Sequence, residues 1–367
     1  MNTAASVGIY IHVPFCAKKC PYCDFYSLPY RQTAASEYTD ALCRNITALP
    51  RHIMADTVYF GGGTPSLLTE DALKRIMEAL QNNVSLTAHA EITLEANPCT
   101  MTAKALAGWH RAGINRLSVG VQSFCDEELR LLGRNHGARQ AAAAICLAAD
   151  AGFANISADL MLGTPMQTED SLADSIAKAV SLPVQHLSAY LLKIEEGTAF
   201  GQNPPAVADD DTAADRYHQL SAAMTAAGFV HYEISNYAKP GFESRHNLKY
   251  WRCEPYIGLG PAAHSCYGGK RTYVPASLED FLNAPLQPVQ VESETACDAE
   301  ERIMLGLRLK KGICPDDFPR LRDALLRLAK PLIPHYLQLQ KGRLHLTEKG
   351  MAVSNAVIAH LLQALDA

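Results

Sequence analysis

Cys16, Cys20 and Cys23 lie in the run Tyr10-Ile-His-Val-Pro-Phe-Cys-Ala-Lys-Lys-Cys-Pro-Tyr-Cys-Asp-Phe25, separated by three and then two residues. At that spacing one short loop can grip three corners of a four-iron, four-sulfide cube and leave the fourth iron open. An open iron can bind a small molecule and pass it an electron. A structural zinc ion, by contrast, is closed by four protein ligands. An interaction module whose cysteine loop holds zinc is the alternative reading of the same spacing. The other eight cysteines (Cys43, Cys99, Cys125, Cys146, Cys253, Cys266, Cys297, Cys314) are scattered, and each reads as a small buried apolar residue.

A cube held by a loop needs a rigid scaffold, and the surrounding sequence alternates short β-branched or apolar runs with longer Ala/Leu-rich stretches of helical period. The strands expected are Val7 to Ile11, Thr57 to Phe60, Glu91 to Glu95, Arg116 to Val121, Asn155 to Met161 and His186 to Leu192. Helical stretches are expected at Thr33 to Leu49, Thr69 to Gln81, Thr102 to Ala112, Asp126 to Gly152 and Thr168 to Ser181, several opening on Thr or Asp as caps. This is the α/β pattern of a partial (β/α)6 barrel.

Chemistry in such barrels gathers at the carboxyl ends of the strands. The residues expected there are the cysteine loop, Gly61-Gly-Gly-Thr-Pro65, Glu95-Ala-Asn-Pro98, Gln122-Ser-Phe124 and Asp159. Together they suit S-adenosylmethionine, whose amino and carboxylate groups can chelate an open iron. Glycines let the backbone approach a ligand closely, so Gly61 to Gly63 fit the amino end of the methionine moiety. Glu95 can accept ribose hydroxyls or an ammonium, Arg134 can hold a carboxylate in its fork of donors, and Asp159 can orient either. His12, inside the cluster segment, is read either as a donor to the cluster or ligand or as strand-end packing.

Of the 367 residues, 48% are hydrophobic and 19% charged, the balance of a globular protein. A net charge of -5 without a basic stripe argues against nucleic acid as a partner. The apolar runs are too short to span a bilayer, and the first fifteen residues lack the pattern of a secretory signal, so a cytoplasmic location is expected. Beyond Phe200 the alternation decays into a loop at Asn203-Pro-Pro205, a helix at Thr212 to Gly228 and an aromatic, Gly-rich tract at Tyr232 to Gly269. A second unit begins near Thr295, with helical patterns at Ala299 to Leu309, Pro315 to Leu326 and Ala329 to Gln340. A hairpin or wing at Gly342 to Gly350 and a closing helix to Leu365 complete it. The expected division is a barrel at 1–230, an irregular segment at 231–294, and an α-rich, winged-helix-like domain at 295–367 used for packing or partner docking.

Five segments, Tyr10-x-His-x-Pro-Phe-Cys, Gly-Gly-Gly-Thr-Pro, Ile92-Thr-Leu-Glu-Ala-Asn-Pro98, Leu117-Ser-Val-Gly-Val-Gln-Ser-Phe124 and Asp159-Leu-Met-Leu-Gly163, resemble the radical S-adenosylmethionine family in the group that contains HemN and HemW. The resemblance covers nearly the whole chain. It implies a [4Fe-4S] cluster on Cys16, Cys20 and Cys23, and S-adenosylmethionine at Tyr10, Tyr22, Gly62, Gly63, Thr64, Glu95, Gln122, Arg134 and Asp159. HemN-type members are oxygen-independent coproporphyrinogen III dehydrogenases of porphyrin biosynthesis, whereas HemW-type members are regarded as haem chaperones for respiratory proteins. The dehydrogenases carry a further cysteine where this chain has Phe25, and a longer segment before the cluster motif. His246-Asn-Leu-Lys-Tyr-Trp251 matches the His-Asn-x-x-Tyr-Trp motif of the chaperones. The resemblance therefore implies haem as a third cofactor, held at His246, Asn247, Tyr250 and Trp251, with haem-accepting respiratory proteins, which can be membrane-associated, as partners. It assigns no catalytic residue and favours a chaperone over the dehydrogenase. On chemical grounds His246 suits an axial haem ligand, with Tyr250 and Trp251 offering flat faces.

Overall fold

A computed structural model describes residues 6–50, 53–286 and 290–366. The first five residues, on which part of the reading of the amino terminus rests, lie outside them. All six expected strands form: β1 (Val7–Val13), β2 (Met54–Gly62), β3 (Ser85–Ala96), β4 (Arg116–Gln122), β5 (Ile156–Leu162) and β6 (His186–Leu191). They pair in sequence order, all parallel. Both faces are covered, so the strands read as near-continuous apolar runs; Ile9, Ile11, Phe60, Leu94 and Leu117 are fully buried.

Helices α1 (Gln32–Thr47), α2 (Glu70–Asn83), α3 (Ala103–Arg111), α4 (Asp126–Leu131), α5 (Ala138–Asp150) and α6 (Glu169–Ser181) form the crossovers. Thr69, Thr102 and Thr168 cap α2, α3 and α6, their hydroxyls accepting from the backbone N–H of Ala72, Ala105 and Ser171. Each such cap contributes about 1 kcal/mol. The single stretch expected from Asp126 to Gly152 is instead two helices. Gly133, at φ +68°, ends the first and turns the chain so that Arg134 lies between them.

The tract after α7 (Asp210–Ala226) is not irregular. It supplies β7 (Val230–Glu233), β8 (Asn236–Ala238), α8 (Arg245–Trp251), β9 (Tyr256–Leu259), β10 (His264–Tyr267), β11 (Lys270–Tyr273) and β12 (Gln290–Ser293). The sheet then runs β12-β11-β10-β9-β1-β2-β3-β4-β5-β6-β8-β7. β9 extends the parallel set beside β1, and the remaining additions are antiparallel. The order has two ends, as in a partial barrel.

The carboxyl-terminal unit holds α9 (Ala299–Arg308), α10 (Arg322–Ala329), a hairpin of β13 (Leu337–Gln340) and β14 (Arg343–Leu346), and α11 (Ser354–Leu362). The helix expected over Ala329 to Gln340 does not form. Pro331 and Pro334 each remove a backbone donor, and only a 3-10 turn, Lys330–Leu332, precedes β13. Lys341 and Gly342, at φ +51° and +74°, make the two-residue turn that a twisted hairpin prefers. No described helix is long and apolar enough to cross a membrane.

Candidate functional site

The loop after β1 closes on itself before it reaches any ligand. Phe15 and Cys16 pair in parallel with Leu28 and Pro29. Leu28 N–H donates to Pro14 O at 2.8 Å and Tyr30 N–H to Cys16 O at 2.9 Å. Within the loop, Cys23 N–H donates to Cys20 O at 3.1 Å. The backbone thus fixes a small ring carrying Cys16, Cys20 and Cys23, each half-buried.

Three glycines at the end of β2 seat this ring. Gly63 N–H donates to Val13 O at 2.8 Å and Thr64 N–H to Phe15 O at 2.7 Å. A Cβ at Gly63 would lie 2.6 Å from Phe15 O, and one at Gly62, which sits at φ +107°, would lie 2.7 Å from the His12 ring. The glycines therefore admit the cysteine loop and His12, a constraint additional to any approach by ligand. His12 is buried, with Nε2 2.9 Å from Tyr26 O and Nδ1 3.2 Å from Tyr10 Oη. It anchors the far arm of the loop to β1, which answers its two readings in favour of positioning.

Beneath the loop lies a cavity of about 480 Å3 lined by Cys16, Cys20 and Cys23 and by the strand ends. Of the residues expected to hold S-adenosylmethionine, Tyr22, Gly62, Gly63, Thr64, Glu95, Gln122, Arg134 and Asp159 all line it. Tyr10 does not. Its ring lies behind the wall, stacked on Tyr59 at 6.2 Å and on His246 at 6.3 Å.

The wall is electrostatically mixed. Glu95 accepts from Tyr59 Oη at 2.9 Å, and burial pushes its carboxyl up to about 7 against that bond. Asp159 accepts from Ser118 Oγ at 3.1 Å and Ser157 Oγ at 3.3 Å, yet burial still raises it to about 6. Arg134 donates through Nη2 to Gly120 O at 2.7 Å and through Nη1 to Cys20 Sγ and Tyr22 Oη, both at 3.5 Å. Thr64 Oγ1 adds a 3.5 Å contact to Cys16 Sγ. Gln122 sits at φ +72° beside a bulge in β4, a strained conformation that aims it into the cavity.

Sequence reasoning missed Tyr59, Arg116, Ser118, Ser188 and Tyr190, which also line the cavity. Arg116 is the most telling. It is buried, and its Nε and Nη1 have no hydrogen-bond partner, nor does Nε of Arg134. Buried guanidinium donors without partners are costly, and both side chains form part of the cavity wall. Arg116 opens an expected strand, but nothing in an isolated sequence says that its side chain turns inward.

The donor set fits an iron-sulfur cube better than one zinc ion. Tetrahedral zinc at about 2.3 Å from each sulfur draws its ligands to about 3.8 Å apart. The sulfurs of Cys16, Cys20 and Cys23 do not all lie within 4.8 Å of one another. They are three corners of a wider frame over an open cavity.

The His246-Asn-Leu-Lys-Tyr-Trp251 segment is helix α8, and it divides. Asn247 lines the cavity. His246 is 1% exposed and packs directly behind the cavity wall, its ring stacked 5.2 Å from that of Tyr59, and a Cβ on Gly8 would touch it at 3.0 Å. Its Nδ1 shares a 2.8 Å hydrogen bond with Thr57 Oγ1 and its Nε2 a 2.8 Å bond with Tyr250 Oη. Burial pushes the imidazole down to about 3, so it is neutral. Glu91 receives the backbone N–H groups of Arg245 and His246 and caps the helix. In this arrangement both ring nitrogens of His246 are engaged and neither reaches open space. Tyr250 packs edge-on to Tyr256 at 4.6 Å, and Trp251 lies under Arg308, 4.2 Å from the guanidinium carbon. Neither presents a free face to the cavity.

The scattered cysteines also differ from expectation. Of the eight, only Cys266 is buried, while Cys99 and Cys146 are exposed.

Comparison with known proteins gives consistent results. Residues 10–179 match the Radical SAM superfamily and residues 298–353 the HemN C-terminal domain. The "Heme chaperone HemW" of Escherichia coli K12 is 42% identical over 73% of this chain and 71% of its own length. That of Bacillus subtilis 168 is 35% identical over 97% and 99%. The solved structure titled coproporphyrinogen III oxidase (HemN) from Escherichia coli, a radical SAM enzyme, superposes with a TM-score of 0.82 over 99% of this chain and 90% of that one. At 23% identity this likeness speaks for the fold.

Proposed function

Because the chain belongs to the family of the heme chaperone HemW within the radical SAM superfamily, we propose that it is a haem chaperone. In this reading it holds a [4Fe-4S] cluster on Cys16, Cys20 and Cys23, binds S-adenosylmethionine in the cavity beneath, and passes haem to haem-requiring respiratory proteins. When bound, cluster and S-adenosylmethionine together supply one-electron cleavage of a carbon–sulfur bond. The protein's own part is positional.

The observation that carries the cofactor half is the convergence on one cavity of the three cysteines with Gly62, Gly63, Thr64, Glu95, Gln122, Arg134 and Asp159. Glu95 and Asp159 are acceptors for the ammonium and ribose hydroxyls, and Arg116 and Arg134 bring positive charge to the wall, suited to a carboxylate. Arg134, touching Cys20 Sγ, also favours negative charge on the cluster side. Phe25, 63% exposed at the rim, stands where the dehydrogenases have a cysteine. The haem half rests on the relatives' stated function and on the α8 motif. Asn247 is the part of that motif that faces the cavity.

The test is anaerobically reconstituted protein assayed in parallel for haem transfer to an apo-cytochrome and for porphyrinogen decarboxylation. Haem transfer without decarboxylation is expected. Decarboxylation at enzymatic turnover would refute the chaperone and favour the coproporphyrinogen dehydrogenase, whose fold this chain shares.

A further inference from the structure

Away from the cavity, three cysteines and a glutamate from distant parts of the sequence meet beside helix α8. Cys297 Sγ lies 3.5 Å from Cys266 Sγ. Ligand atoms of Cys253, Cys297 and Glu301 all lie within 4.8 Å of one another, the one such group of three among the described residues. Cys253 follows α8, Cys266 sits on β10, and Cys297 and Glu301 bracket the start of α9. We propose that Cys253, Cys297 and Glu301 form the core of a second metal site for a single divalent zinc-type ion, completed by a shift of the Cys266 sulfur, which touches Cys297 but lies outside that 4.8 Å group, and that the ion fastens the carboxyl-terminal unit to the edge of the sheet.

Four observations carry this. First, the ligand atoms of Cys253, Cys297 and Glu301 lie within the compass that one tetrahedral zinc ion needs, a compass that the three cluster cysteines together exceed. Second, thiolates with one carboxylate make a soft, closed donor set that selects zinc over magnesium or calcium. Third, two ligand positions are strained. Cys253 and Cys297 sit at φ +53° and +60°, where glycine or asparagine would be less costly. Fourth, the surroundings are prearranged. Tyr256, Cys266 and Arg271 are register partners across β9, β10 and β11. Arg271 Nη1 donates to Tyr256 Oη at 2.9 Å while its Nε and Nη2 hold the Glu301 carboxylate. Cys297 N–H donates to Glu301 Oε2 at 2.6 Å. Arg271 thus orients the carboxylate and offsets the negative charge of the filled site.

Binding would form three metal–sulfur bonds and one metal–oxygen bond, break three S–H bonds and release three protons to solvent. No electron moves.

The test uses full-length protein whose cluster has been reconstituted without oxygen, given Zn2+, desalted and analysed for metals. About one zinc is expected beside about four irons per chain. Cys253→Ser and Cys297→Ser should each lower bound zinc at least tenfold with iron unchanged, while Cys146→Ser, an exposed cysteine elsewhere, should lower neither. Co2+ in place of Zn2+ should give thiolate-to-cobalt charge transfer and tetrahedral ligand-field bands. Zinc below a tenth of an equivalent in the wild type, zinc retained by Cys297→Ser, or a Cys266–Cys297 disulfide in anaerobic protein would overturn the site. If a cysteine variant fails to fold, the cobalt spectrum of the wild type decides, since absence of the thiolate bands refutes the proposal.

Discussion

His246→Ala separates a structural histidine from a haem ligand, and the arrangement sets its size. The substitution leaves Thr57 Oγ1 and Tyr250 Oη without their 2.8 Å partner and opens a void among Gly8, Tyr10 and Tyr59. Two buried hydrogen bonds contribute about 1 kcal/mol each, and the lost ring packing adds a further 1 kcal/mol or so. The expected destabilisation is about 3 kcal/mol near neutral pH. The same residue predicts how that figure changes with acid. Its imidazole is pushed down to about 3 in the folded chain against an ordinary 6.5. Between those values the unfolded chain binds a proton that the folded chain does not. Wild-type stability attributable to His246 is therefore complete above about pH 6.5 and falls by about 1.4 kcal/mol per unit below it. The alanine variant lacks this penalty, so the gap should narrow by about 2 kcal/mol at pH 5, to about 1. Urea unfolding followed by the fluorescence of Trp109 and Trp251 at the two pH values measures both numbers, and groups common to the two proteins cancel. A gap that does not change with pH would refute the buried neutral imidazole. So would a variant of wild-type stability that binds haem tenfold more weakly.

Cys20→Ala should abolish cluster absorbance after anaerobic reconstitution while changing unfolding free energy by less than about 1 kcal/mol, because Cys20 is half-buried on a rim loop. Gly63→Ala should do more, since its Cβ meets backbone 2.6 Å away; loss of both iron content and about 2 kcal/mol or more of stability is expected, and normal iron loading would contradict the seating role of the glycines. Arg134→Met should weaken S-adenosylmethionine binding by about ten- to a hundredfold in calorimetry, the cost of losing a charged hydrogen-bond donor. Glu95 is raised to about 7, so as an acceptor it is charged only above that value. Affinity for S-adenosylmethionine should rise with pH through 7 in the wild type and stay flat in Glu95→Gln.

The parallel core was legible because each of its strands carries its own signal. Val7–Val13 and Ile156–Leu162 are apolar runs buried on both faces, and Thr69, Thr102 and Thr168 mark helix starts with caps that need no tertiary information. The elements added after Val230 were not legible for the opposite reason. β7 to β12 are three or four residues long, too short to establish a period, and exist because an edge strand is available to pair with. The seven-residue α8 has a local cap in Ser244, whose hydroxyl accepts from Asn247 N–H, but it relies on Glu91, more than 150 positions earlier, to accept the N–H groups of Arg245 and His246. The site divides along the same line. Cysteine spacing and strand-end motifs announced most of the cavity, since the turn at the end of a strand is built from neighbouring residues in the chain. Arg116 and Tyr59 lie within strands, where direction into the cavity is a matter of sheet curvature. The burial of His246 was not legible, because an exposed loop and a buried plug use the same residue types.

Helix α8 places consecutive residues in two compartments, with Asn247 on the cavity wall and His246 sealed in behind it. Seven residues are too few to let one be withdrawn without dragging its neighbour. Any event that extracts the imidazole must also re-form the floor of the cofactor chamber. By thermodynamic reciprocity, a ligand in that chamber that leans on Asn247 resists the extraction by the same free energy.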